Sequence, residues 1–102
     1  METYDLAELV IAQAPQSWSL AFSSAKLMII KDHGTLQWFI DIDGVVDVEL
    51  LHNFALSDHI GIEMRAIAIG GLQLEGKGHF HPNPQHNAAA IRGDGPLEGY
   101  AL

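Results

Sequence analysis

Apolar and polar positions alternate with a period of two along most of this chain. Trp18, Leu20 and Phe22 alternate with Ser17, Ser19 and Ser23. Leu36, Trp38, Ile40 and Ile42 face one way, with Thr35, Gln37, Asp41 and Asp43 on the other side. Ile60, Ile62, Met64, Ala66 and Ala68 alternate with Glu63 and Arg65, and Leu72, Leu74 and Phe80 with Gln73, Glu75, Lys77, His79 and His81. Side chains on a strand point to opposite faces in turn, so each of these segments predicts a half-buried strand. Leu27 to Ile30 is a continuous apolar run and predicts a strand covered on both faces or lying beneath the helix. Asp32-His33-Gly34, Gly70-Gly71 and Gly93-Asp94-Gly95-Pro96 supply turns. Gly76 and Gly78 fall on the apolar side of their strand, which predicts a bulge or the close approach of another backbone.

Two segments are read differently. Over residues 3–14 the apolar residues Leu6, Leu9, Val10 and Ala14 recur at spacings of three and four, and Asp5 with Glu8 resembles a capping box, so a short helix ending at Pro15 is expected. After Asp43-Gly44 the sequence Val46-Asp47-Val48-Glu49-Leu50 alternates again. A three-residue loop, Asp43 to Val45, would pair Ile42 with Val46 and keep the apolar faces aligned, so a hairpin is expected there. Short strands over Ala88–Ile91 and Leu97–Ala101 complete the chain. The fold class expected is mainly β: one domain over residues 1–102, a small antiparallel sandwich or flattened barrel of about seven or eight strands with a short N-terminal helix.

Composition narrows the functions. Thirteen acids against five bases give a formal charge of −8. That argues against nucleic acid, where lysine and arginine must neutralise phosphates, and against anionic membrane surfaces. No cysteine is present, which excludes thiolate metal sites and weakly favours a reducing compartment. No Lys or Arg precedes Lys26, so a secretory signal is not expected, and no apolar run approaches a membrane span. A cytoplasmic setting follows as the expectation.

Chemistry concentrates in two places. The run from Lys77 to Gly95 holds His79, His81 and His86, with Pro82 and Pro84 stiffening the chain between them. His79 and His81 share one strand face, about 6–7 Å apart. With His86 they are three neutral imidazole donors that suit a divalent transition metal. The run resembles part of the first cupin motif: His79 and His81 match its histidine pair and Gly93 its glycine, with His86 standing where that motif has glutamate. The resemblance implies a small cupin-like metal-binding protein or metalloenzyme. The second cupin motif has no counterpart before Leu102.

The other place is acidic. Asp41, Asp43, Asp47 and Glu49 flank the expected hairpin turn, and Phe39, Val45, Leu51 and Ile67 fall on the same outward parity. Apolar residues on an exposed face mark interfaces. Phe39, Asp41, Asp43, Val45, Asp47, Glu49 and Ile67 are therefore expected to form a partner-binding surface, for a second copy of the chain in a homodimer or for a basic protein. None of the serines lies in a nucleophile elbow, and no catalytic residue is assigned. The leading functional expectation is a non-enzymatic acidic binding domain of inhibitor or immunity type, with the histidine-metal reading as the alternative.

Overall fold

In the computed structural model, which describes residues 1–100, the alternating segments become strands of one closed antiparallel barrel. The strands are β1 (Glu2–Gln13), β2 (Gln16–Ser19), β3 (Ser24–Asp32), β4 (Thr35–Asp43), β5 (Gly61–Ala68), β6 (Gln73–Asn83) and β7 (Ala88–Glu98). Among the described residues one α-helix, α1 (Val48–Ala55), lies between β4 and β5, and Pro84–His86 make a 3-10 turn. Around the barrel the order is β1-β3-β4-β7-β6-β5, and pairing of β5 with β1 closes it. β2 is an added strand on the far half of β1, pairing Gln13 with Gln16 and Val10 with Ser19.

The expected N-terminal helix is instead β1, and a bulge explains the misleading spacing. Leu6 pairs with Ala68, but Glu8 pairs with Ile67, so one extra residue sits in β1 between them. An inserted residue shifts inward parity by one. Leu6 and Leu9 therefore both point into the core, at 4% and 1% exposure, with a spacing of three that imitates a helical face.

The expected hairpin after Asp43 is also corrected. Gly44 takes a positive φ of 67° and ends β4, Val45 is buried, and α1 begins at Val48. The Asp47 side chain accepts a hydrogen bond from the Leu50 amide at 3.0 Å, which caps the helix. Leu50, Leu51 and Phe54 form the buried stripe of α1, so Leu51 is core and not outward, and Val46 is exposed and not inward.

Topology dictates where this helix must go. β4 lies between β3 and β7, and β5 between β6 and β1, so the two strands stand on opposite sides of the barrel. The connection between them crosses one mouth, and α1 plugs it. Phe54 meets the rings of Phe80 at 4.7 Å and Trp18 at 5.7 Å.

The remaining expectations can be placed strand by strand. Ile62, Met64, Ala66 and Ala68 of β5, and Leu74 and Phe80 of β6, are buried as the alternation requires. Leu27 and Ile29 are buried but Ile30 is 36% exposed, so β3 is covered on one face only. His33 and Gly34, both at positive φ, make the two-residue turn that pairs Asp32 with Thr35. The two short strands expected at the end are one strand, β7, running through Gly93 to Glu98; Ala101 lies outside the described residues. Gly76 and Gly93 face inward over Trp38, and a Cβ at Gly76 would fall 2.8 Å from the indole. The expected close approach is thus of a side chain as well as of backbone: Gly78 abuts the carbonyl of Arg92, and the β6–β7 register shifts between Gly76 and Gly78. Among the described residues no helix is long and apolar enough to cross a membrane.

Candidate functional site: the helix-bearing end

Antiparallel order sorts the chain into two ends. β1, β4 and β6 finish, and β3, β5 and β7 begin, at the mouth that α1 plugs. Residues 12–25, 42–60 and 80–91 make up this end. They contain Asp43, Asp47, Glu49 and Asp58, four histidines (His52, His59, His81 and His86), and no lysine or arginine. All five bases lie on the barrel wall or toward the other end. Each carboxylate is exposed. Val46 at 71%, Val48 at 39% and Leu56 at 87% exposure add apolar surface beside them.

The sequence-predicted partner surface is split by this geometry. Asp43, Asp47 and Glu49 come together at the helix-bearing end. Phe39 and Asp41 lie further down β4 on the outer wall, with Lys26 of β3 directly across from Asp41. Val45 is in the core. Ile67 is on β5, on the opposite side of the barrel from β4, and half-buried. The apolar residues on which a dimer was expected therefore do not form one patch.

The histidines are separated as well. His79 and His81 do share the outer face of β6. His79 is half-buried opposite Gly61, its Nδ1 shielded from solvent and without a hydrogen-bond partner. His86 sits beyond Pro82 and Asn83 in the 3-10 turn, exposed. Among the described residues no three His, Asp or Glu side chains converge on a common metal position. Asp41 and His81 flank Ala90 in one cross-strand row, with two strand spacings, about 10 Å, between their backbones. The small side chains of Ala88 and Ala90 leave a shallow hollow of about 260 Å³ there.

At the far end of the barrel a different cluster forms. Lys31 approaches the Glu2 carboxylate at 3.5 Å and stands 5.0 Å from the centre of the Tyr100 ring. Tyr4 donates to Glu2 at 3.2 Å. The Tyr100 hydroxyl, then the Lys31 ammonium, hold the Glu2 carboxyl below its usual range, although that hydroxyl is shielded from solvent and makes no hydrogen bond by geometry. The same hydroxyl raises Lys31, and partial burial with the Glu2 charge raises Tyr4. These groups tie β1, β3 and the segment after β7 together.

Sequence reasoning passed over Asp58, Trp18, Gln13 and Asn53. One signal was available: residues 32–64 hold seven acids and no lysine or arginine. That run brackets α1, and its bias is the linear trace of the acidic end. Set against family models, curated proteins and solved structures, the chain has no match.

Proposed function

We propose that this protein is a non-catalytic binding module that presents its helix-bearing end to a basic protein partner. The observation that carries this reading is the segregation of charge: four carboxylates and no lysine or arginine on one end of a barrel. A one-signed patch attracts opposite charge, steers its approach and disfavours acidic competitors. Val46, Val48 and Leu56 give such a partner apolar surface to bury, which charge alone does not supply. The barrel holds α1 rigidly through Leu50, Leu51 and Phe54, so the binding face is formed before the partner arrives.

The test is a titration with a lysine- and arginine-rich peptide, followed residue by residue through backbone amide NMR shifts. The expected shifts concentrate at Asp43, Glu49 and Asp58, and affinity falls as salt rises from 50 to 200 mM, on the order of the Debye screening change. Shifts centred on the opposite end, or binding indifferent to salt, would overturn the reading.

A further inference from the structure

Between α1 and β2 lies a cleft of about 350 Å³. Its walls follow from register. Trp18 pairs with Ile11 and Gln16 with Gln13, so Trp18, Gln16 and Gln13 all face inward, toward the helix that plugs the mouth. α1 supplies the other wall with Asp47, Glu49 and Asn53. Trp18 meets Phe54 with the two ring planes 73° apart and stays half-exposed, an indole fixed at the margin of the core.

Hydrogen-bond accounting shows what this cleft has left to offer. The Gln13 side chain spends both N–H groups of Nε2 on the carbonyls of His59 and Gly61, at 2.9 and 3.0 Å. Its carbonyl oxygen Oε1 is the remaining group. Asp47 uses Oδ1 to cap the helix and keeps Oδ2. Glu49 is a carboxylate and only accepts. The cleft therefore sets two carboxylates and the Gln13 carbonyl beside an aromatic ring, the Gln16 and Asn53 amides can donate or accept, and no cationic side chain lines it. Its complement is a planar cation that only donates.

We infer that the cleft binds the guanidinium group of an arginine side chain, stacked against Trp18 and hydrogen-bonded to Glu49, Asp47 and the Gln13 carbonyl. Guanidinium carries five donors and no acceptor, and it stacks on aromatic faces where an ammonium does so less well. The assignment rests on the basic-partner reading and deepens it, since it names the residue that such a partner inserts.

The experiment uses N-acetyl-arginine methylamide as the probe and the indole N–H signals of the two tryptophans as the readout. Trp38 is 1% exposed and serves as an internal reference. The expected result is millimolar binding that moves Trp18 and leaves Trp38 in place. The lysine analogue binds more weakly, and the citrulline analogue, with similar shape and no charge, does not bind. Glu49→Gln, on the exposed first turn of α1, weakens arginine binding by about fivefold, the scale of an exposed charge pair, while the protein stays folded with only the small drop in melting temperature that losing a first-turn charge entails. An unmoved Trp18, or equal binding of citrulline or lysine, overturns the guanidinium assignment. If the basic peptide still shifts Asp43 and Asp58 while Trp18 is silent, only this assignment falls; if the peptide shifts neither, the acidic face falls with it.

Discussion

Gly93 shows how much of this fold is settled by the absence of one carbon. It faces inward on β7, and a Cβ there would sit inside the indole of Trp38. That indole is 1% exposed, and its Nε1 donates to the Gly95 carbonyl at 3.2 Å, so it cannot swing aside without leaving a buried donor unpaired. Gly93→Ala is expected to destabilise the protein by about 1–3 kcal/mol, the range for overpacking a tight core. Gly61 is the control. It has no positive φ and nothing within 4 Å of its Cβ position. Gly61→Ala should be neutral or stabilise by up to about 1 kcal/mol through the unfolded chain. Urea denaturation of the two variants checks the contrast, and equal stabilities would mean that the indole yields. The alternation placed Trp38 on the inward face correctly, and it placed Gly76 and Gly78 on the apolar side. It did not show that Gly93 and Trp38 share one space, because they are 55 residues apart and meet only across β4 and β7.

At the scale of elements, α1 is the informative case. Val46-Asp47-Val48-Glu49-Leu50 fits a strand by period, yet the segment is helical. Eight residues make a marginal helix in isolation, so most of its stability comes from burying Leu50, Leu51 and Phe54 over the barrel mouth. The Asp47 cap and Glu49 in the first turn contribute the rest. Asp47→Ala is expected to lose about 1 kcal/mol in a chemical denaturation series. Asp47→Asn keeps a capping oxygen and should recover most of that loss while removing the charge, so it separates the structural role of this side chain from its role in binding. A full loss with Asn as well would show that charge at the helix start, and not the hydrogen bond, holds the turn. β1 is the converse case. Its bulge made a strand look helical, since parity and not composition carried the signal.

Considered as a whole molecule, the barrel separates two electrostatic ends: acids and histidines around α1, and the Glu2, Tyr4, Lys31 and Tyr100 cluster opposite. The second cluster sets a pH dependence of stability. The Glu2 carboxyl is lowered in the fold from its ordinary 4.5, by Tyr100 and then Lys31. A lowered carboxyl contributes stability above its unfolded pKa and loses it as pH falls through the folded value. The expected outcome is that wild type exceeds Glu2→Gln in thermal stability at pH 6 and that the gap closes below pH 4.5. A gap that persists undiminished at low pH would mean that Glu2 acts by packing. Lys31 and Tyr4 are raised, so their contribution is present through neutral pH and fades only in alkali, outside this window.

The division between what the chain announced and what folding decided follows the range of the interactions. Inward positions on β4, β5 and β6, the Asp32–Gly34 and Gly70–Gly71 turns, and the mainly β class were all legible, because side-chain alternation and glycine turns are local properties. So was the excess of acid. Closure through β1 and β5, the bulge in β1 opposite β5, and the helix drawn across the mouth were not legible, because each depends on strands distant in sequence. The candidate site divides the same way. Asp43, Asp47 and Glu49 stood out as an acidic run, whereas Trp18 and Gln13 joined Asp47 and Glu49 only when β2 folded back on β1 and α1 crossed the mouth beside them. Local sequence sets which face a residue prefers; only closure of the barrel decides which faces meet.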